Sequence, residues 1–188
     1  MDTIEIIRHQ AKLDRAEVWD RLAHYTEKNS HPSRNLGWLS VLEHAFGHRT
    51  FVLEAVQSGK TVGVLPLAEV RSFLFGKFLV SLPYLNQGGL IAEDWQIAEK
   101  LMDEAISLSD ALDVRYLELR HEEEFIHPKL TQRQMNKVHM RLALPSTSDA
   151  LWSQFKSKLR SQIRNGERHG FSVHWGGLEL IGEVFIRI

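Results

Sequence analysis

The chain has no cysteine among its 188 residues. Disulfides, thiolate nucleophiles and sulfur-ligated metal sites are thereby excluded. It also lacks any apolar run near the roughly 20 residues that cross a bilayer as a helix. The N-terminal "MDTIEIIRHQ" carries acids where a secretory leader carries bases, and no long apolar stretch follows it. These absences lead to the expectation of a cytoplasmic protein without a membrane span. There is no tandem repeat and no low-complexity tract, and the formal net charge is only -1.

What is present is an ordinary supply of core residues. Hydrophobic residues make up 43% and charged residues 25%, enough for one packed domain or for one domain and part of another. The near-neutral total conceals a division. Residues 1–127 hold 13 Lys or Arg against 20 acids, and residues 128–188 hold 10 against 4. Two regions with different electrostatic roles are expected.

Hydrophobic periodicity predicts a strand at Ile4–Arg8 and helices over Ala16–Lys28 and Leu36–Phe46. Trp38, Leu39, Leu42, Ala45 and Phe46 form the expected buried stripe of the second helix, Ser33 or Asn35 its cap, and Gly47 its end. A hairpin follows in "TFVLEAV–QSGK–TVGVLPLAEV", then a strand in "GKFLV", a Gly-rich corner, and an amphipathic helix from Trp95 to Leu112. Further strands are expected over Val114–Arg120, Asn136–Leu144 and Phe171–Trp175. A helix runs from a cap at Ser148 or Asp149 to about Arg168. The order implies an α/β or α+β domain, a mixed sheet flanked by helices, over residues 1–145, with a second unit beginning at 146. The apolar ending "GEVFIRI" reads as the start of an unfinished fold, or as a surface that a second copy covers in a homodimer.

Several short patterns carry chemistry on paper. "SGKT" (Ser58–Thr61) resembles the end of a phosphate loop, but Glu54 stands where that motif needs glycine and a strand follows, so it reads as a hairpin turn. His44 and His48 are four apart, yet Gly47 interrupts the helix and no third ligand is near, so solvated or capping histidines are expected, not a metal site. His121 and His127 flank three glutamates and read as a wet acidic loop. "RNLGWL" begins the Arg-x-x-Gly pattern of a coenzyme A pyrophosphate loop, but Leu39 occupies the small-residue position, so no intact coenzyme A site is visible. "LPYLNQGGL" (Leu82–Leu90) places Tyr84, Asn86 and Gln87 beside Gly88 and Gly89. It reads either as a plain turn or as a corner that brings polar groups close to a ligand.

"KSKLRSQIRNGERHG" (156–170) holds five bases against one acid. On one continuous helix Trp152, Phe155, Leu159 and Ile163 would share a face. Lys156, Arg160, Arg164 and Arg168 would run beside it. The stripe suits a solvated face, a grip on phosphates through the guanidinium forks, or an RNA contact.

Taken in order, "GHRTFVLEAVQSGKTVGVLPLAEVRSFLFGKFLVSLPYLNQGGLIAEDW", "RYLELR" and "LWSQFKSKLRSQIRNGERHGFSV" resemble the FemAB family, in the branch linked to exosortase (PEP-CTERM) and exopolysaccharide gene clusters. The resemblance covers roughly residues 15–175. It implies two linked GNAT-like acyl-CoA N-acyltransferase folds, the second cut short here, so that the chain is either active or an inactive fragment. It also implies transfer of an acyl or aminoacyl group to an amine of a peptidoglycan or exopolysaccharide precursor, with aminoacyl-tRNA or acyl-CoA as donor. A nucleotide-linked sugar or peptide precursor is the expected partner, and DNA is not.

Such a reaction needs orientation and oxyanion stabilisation more than a side-chain nucleophile. Tyr84, Asn86, Gln87 and Gly88 are the expected substrate pocket, and Arg160 and Arg164 the expected phosphate contacts. No general base stands out, so the catalytic residue stays unassigned, and no metal is expected. The alternative is a non-catalytic GNAT-like module that binds an anionic partner or RNA.

Overall fold

A computed structural model describes residues 3–10, 16–29, 35–121, 124–134, 138, 140–172, 174–177 and 179. The chain divides into two compact units, residues 1–137 and 138–188. The first is an α+β unit built on a mixed sheet flanked by helices. Its elements are β1 (Glu5–Gln10), α1 (Ala16–Asn29), α2 (Gly37–Phe46), β2 (Arg49–Gln57), β3 (Lys60–Ser72), β4 (Gly76–Val80), β5 (Ile91–Ala92), α3 (Trp95–Ala111) and β6 (Leu117–Glu118).

The strand order is β1-β2-β3-β4-β6, with β5 joined to β3 beyond the end of β4. Every pairing is antiparallel except β4 with β6, which are parallel over Leu79–Leu117 and Val80–Glu118. The β2–β3 connection is the two-residue turn Ser58–Gly59, both at positive φ (49° and 74°). This left-handed pair matches the twist of the strands it joins, so "SGKT" is a turn and not a phosphate loop. β2 lies inside the sheet and is covered on both faces, so apolar residues point to both sides of it, with Glu54 as the charged exception. Phe51, Leu53 and Ala55 pack with Leu65, Leu67 and Leu79 under Ile97, Leu101, Ala105 and Leu108 of α3. On the other face Val52, Val64 and Ala68 meet Leu22 and Tyr25 of α1, and Leu39 and Leu42 of α2. Gly63 lets α3 approach the sheet: a Cβ there would stand 2.7 Å from Ile97 Cγ2.

Asp94 caps α3 by accepting from Ile97 N, and Gly47 (φ 65°) closes α2. Leu36, not Asn35, is the N-cap of α2 and makes no side-chain cap bond, while Asn35 Oδ1 accepts from Gly37 N at 2.7 Å just before it; Ser33 lies outside the described residues. Tyr25 pins α1 to the sheet by donating from Oη to Val62 O at 2.8 Å. Burial, and then the charge of Glu93, push its phenol up to about 12, so it stays a neutral donor.

Several expectations are corrected. Trp38, Ala45 and Phe46 of α2 are exposed, because the sheet receives only the Leu39–Leu42 edge of that helix. The strand expected over Val114–Arg120 shortens to Leu117–Glu118, since β4 offers only two partners. Over Asn136–Leu144 no described residue is in a strand. Val138, Met140, Leu142 and Leu144 are exposed, so alternation there finds no sheet edge to join. Phe171, Ser172, His174 and Trp175 are likewise not in a strand. The "GEVFIRI" ending lies outside the described residues.

In the second unit the single helix expected to reach Arg168 is two: α4 (Ser148–Gln154) and α5 (Ser157–Arg168). Thr147, not Ser148 or Asp149, is the cap of α4. Ser153 Oγ donates back to Ala150 O at 2.8 Å, a bond that competes with helix continuation. Phe155 (φ -71°, ψ 137°) and Lys156 (φ -60°, ψ 151°) are then extended.

The first unit buries one carboxylate completely. Glu54, on β2, is 0% exposed. It accepts from Arg21 Nε and Nη2 at 3.0 and 2.9 Å and from Thr61 Oγ1 at 2.5 Å, and His9 Nε2 lies 2.8 Å away. Burial alone would raise its pKa. The hydrogen bonds from Arg21, Thr61 and His9 outweigh it and hold the carboxyl below its ordinary value. A depressed carboxylate contributes stability above its unfolded pKa, and that stability is lost as pH falls through the folded value. Glu54→Ala is expected to cost about 1–3 kcal/mol in urea denaturation at pH 7, because it removes the shared acceptor of Arg21, Thr61 and His9, groups that are only partly open to water. The variant's stability should also depend less on acid below about pH 4.5 than the parent's.

Candidate functional site

The parallel pair β4/β6 joined through α3 makes the carboxyl ends of those strands the natural place for a ligand in a mixed sheet. Two segments meet near there: the α2–β2 junction at Gly47–Arg49 and the loop that leaves β4 at Ser81. His48 Nε2 lies 2.9 Å from Tyr84 Oη. Phe46 stacks on both rings, at 5.8 Å from His48 and 4.9 Å from Tyr84. Beside this trio Phe46, Gly47, His48, Arg49, Glu69 and Arg71 line a cleft of about 320 Å³.

Charge in the cleft is set by two arginines around one buried acid. Arg71 Nε and Nη2 donate to Glu69 at 2.9 and 3.1 Å, and Arg49 Nη1 stands 4.0 Å from the same carboxylate. Arg49 also donates to Gln10 Oε1 at 3.0 Å and lies over the Phe51 ring at 4.9 Å. Two cations against one anion favour an anionic ligand group. His48 is half-buried, and desolvation pulls its pKa below the ordinary imidazole value. It is therefore neutral near pH 7 and can accept a proton. His44 is not its metal partner: His44 Nδ1 lies 2.8 Å from Ser40 O, within its own helix. No group of residues suited to a metal ion occurs among the described residues.

The loop 81–90 carries most of the expected substrate residues, and the structure divides them. Tyr84 is exposed and held at φ 69°, a strained conformation for a non-glycine residue, which aims its ring at His48. Asn86 is exposed, and Gln87 and Gly88 are buried. The amides of Gly88 and Gly89 donate to Arg120 O at 3.1 and 2.9 Å, and Leu90 N donates to His121 Nε2 at 3.1 Å. A Cβ at Gly89 would stand 2.4 Å from His121 Cδ2, and one at Gly88 would stand 2.6 Å from Leu82 Cβ. The glycines thus serve close packing onto the end of β6. His121 and His127 are not wet: one supports this loop, and the other is buried 3.7 Å from Asp103 Oδ1.

These bonds bear on a coenzyme A pyrophosphate, which needs free backbone amides at a helix start. Here those of Gly88, Gly89 and Leu90 are engaged, Glu93 N donates to Val62 O, and Ile97 N is taken by Asp94. Glu93 and Asp94 place two acids at the start of α3, where the dipole would otherwise favour a phosphate. The residues at this end of α3 do not fit the group.

Arg160 and Arg164 belong to the second unit. Arg160 is half-buried, and Arg164 is exposed with its guanidinium 5.5 Å above the Trp152 ring. Lys156 precedes α5, so the basic stripe within the helix is Arg160, Arg164 and Arg168.

No protein-family model matches the sequence, and no curated protein matches it. Among solved structures the chain is similar to a GNAT family acetyltransferase of Staphylococcus aureus (12% identity, 73% of this chain and 98% of that one, TM-score 0.44). It is similar also to a ribosomal-protein-alanine N-acetyltransferase of Brucella melitensis biovar Abortus (14%, 93% and 96%, TM-score 0.44). An aminoglycoside acetyltransferase from an uncultured soil metagenomic sample matches at 15% identity (76% and 99%, TM-score 0.46). Likeness this loose says nothing of activity or substrate.

Sequence reasoning named Tyr84 as a substrate residue but did not pair it with His48 or place Arg49, Glu69 and Arg71 beside them. Arg49 and Glu69 are register partners across β2 and β3. A hairpin alignment drawn from the Ser58–Gly59 turn would have set Arg49 against Ala68, because a register shift between Ala55 and Val56 is what brings Arg49 opposite Glu69.

Gly89→Ala is expected to destabilise the first unit by about 1–3 kcal/mol, since the new methyl group meets an imidazole ring that also holds Leu90 N. The same variant should raise amide exchange at residues 88–90, measured by hydrogen–deuterium exchange, while leaving that of α1 unchanged.

Proposed function

We propose that the chain is an N-acyltransferase of the GNAT type, in the FemAB-like branch its sequence resembles. It would move an acyl or aminoacyl group onto an amine of a cell-wall or exopolysaccharide precursor. One observation carries the reading: a neutral His48 imidazole, paired with Tyr84, at the edge of a cleft whose arginines outnumber its acid. In the reaction an amine nitrogen attacks an activated carbonyl. A C–N bond forms, the bond to the leaving oxygen or sulfur breaks, and the amine gives up one proton. His48 is the candidate acceptor of that proton, directly or through Tyr84 Oη. Arg49 and Arg71 are candidates for an anionic group of the substrate or for the oxyanion. The element order, with a helical crossover between parallel β4 and β6, supports the GNAT-type reading.

The engaged amides before α3 weigh against a coenzyme A donor seated there. A donor whose ester rides on a polyanion, such as aminoacyl-tRNA, fits better, with Arg160 and Arg164 as its phosphate contacts. The basic stripe Arg160, Arg164 and Arg168 of α5 supports a second reading, a non-catalytic GNAT-like module that binds RNA or another anion. In that reading the basic helix of the second unit holds the ligand without chemistry.

Transfer of label from aminoacyl-tRNA or acyl-CoA to an amine-bearing nucleotide-linked precursor tests the first reading. His48→Gln should lower kcat about 10²- to 10⁴-fold. The parent's rate should fall only on acidification below the ordinary imidazole range, because the lowered pKa keeps His48 neutral above it. The variant's profile should lack that limb. Arg160→Ala with Arg164→Ala should weaken binding of the phosphate-bearing ligand. If no donor supports transfer and the double variant loses only RNA binding with a steep salt dependence, the second reading stands instead.

A further inference from the structure

The β3–β4 hairpin ends in three consecutive apolar residues, Phe73, Leu74 and Phe75, which are 110%, 78% and 61% exposed. Ser72 pairs with Gly76, so all three sit in the loop itself, beyond the level at which β2 begins at Arg49. A soluble surface normally scatters its exposed apolar side chains instead of stacking three at a protruding tip. The tip covers nothing in its own unit.

We propose that this tip inserts into the interfacial layer of a lipid membrane carrying anionic headgroups, docking the first unit on that surface. Shape separates a lipid layer from a protein partner. Three side chains of this size offer roughly 500 Å² at most, short of the roughly 800 Å² per partner of a stable protein interface. A lipid surface needs only a convex apolar point. Charge agrees with the choice. Arg71 and Lys77 are direct cross-strand partners at the neck, one pair from the Ser72–Gly76 closure, so two bases stand behind the tip. The neighbouring acids pair with these same two bases, whose side chains remain partly exposed. Glu69 is buried against Arg71, and Asp113 lies 3.5 Å from Lys77 Nζ. A basic neck behind an apolar point meets anionic headgroups as the point enters the acyl region. Next along the hairpin, Phe78 stacks on Tyr116 at 4.6 Å, and the Tyr116 ring is exposed, the kind of amphipathic aromatic that sits at headgroup level. The loop also lessens its own polar cost, because Phe75 N donates to Ser72 Oγ at 3.2 Å.

The absence of cysteine gives a direct test. The full chain with Leu74→Cys is labelled with an environment-sensitive fluorophore, and a control carries the same label at Glu99→Cys on the exposed side of α3. Each is mixed with phosphatidylcholine vesicles with and without phosphatidylglycerol. Emission at position 74 should brighten and shift to the blue with the anionic vesicles, and emission at 99 should not. The unlabelled chain should co-sediment with the same vesicles. A Phe73→Ser, Leu74→Ser, Phe75→Ser variant should lose at least about tenfold in partitioning, with an unchanged melting curve. The proposal is overturned if the parent does not partition onto anionic vesicles, if the triple variant binds as well as the parent, or if the label at 74 stays unshifted. It is overturned equally if the chain self-associates in the absence of vesicles and the triple variant abolishes that, which would make a second copy the occupant.

Discussion

Arg120 holds the candidate site in place. Its carbonyl accepts from Gly88 and Gly89, its amide donates to Ser81 Oγ, and its guanidinium donates to Leu85 O and to Glu118. Four of these five bonds bind the loop that leaves β4 to the chain just past β6. The parallel strands themselves share only two register pairs, so the loop's position rests on this residue more than on the sheet. The consequence is chemical. The amides of Gly88 and Gly89 and the side chain of Gln87 are turned inward, and what the loop presents outward is Asn86 and Tyr84, the latter in a strained backbone conformation against His48. The same clamp that removes a phosphate cradle creates the hydrogen-bonded pair on which the catalytic proposal depends.

The first unit puts its polar groups where the sheet cannot cover them. Glu54 and Glu69 both sit on central strands and both are buried, yet they are satisfied differently. Glu54 is enclosed by Arg21, Thr61 and His9 near the β1–β2 edge. A buried carboxylate with that many donors is fixed as an anion and has little freedom for proton transfer. Glu69 is gripped by Arg71 from its own strand and approached by Arg49 from the next, beside open space. The first arrangement suits structure and the second suits binding, because Arg49 and Arg71 retain donors that Glu69 does not use.

The fold was legible wherever one side chain's environment repeats along an element. Central strands covered on both faces show as β-rich apolar runs, and α3 shows its buried Ile97, Leu101, Ala105 and Leu108 at helical spacing. Legibility failed where a pattern was real but had no partner. The alternation through Met140 and Leu142 looks like a strand, yet a strand exists only if an edge receives it. Trp38 and Phe46 lie on the helical stripe that predicted their burial, but α2 meets the sheet along a narrower line. The basic segment breaks at Phe155 and Lys156, both extended, a local change of backbone that hydrophobic periodicity does not register. The site was less legible still. Tyr84 could be suspected from its neighbours, whereas His48 gains meaning only from a residue 36 positions away.

Glycine usage shows how a functional corner and a structural one can look alike in sequence. "NQGG" could have meant amides presented to a phosphate, and in a chain ending its loop at a bare helix start it would. Here the next residues include Glu93 and Asp94, and an acid capping α3 makes the helix start a poor host for a second anion. His121 then fills the space that Gly89 leaves open. The two facts reinforce one another: a loop that needs no ligand to satisfy its amides can pack tightly, and a tightly packed loop can hold Tyr84 at a conformation it would not keep alone. In the proposed function, recognition therefore falls to the side chains of His48, Arg49, Arg71 and Tyr84 and not to backbone amides of this loop.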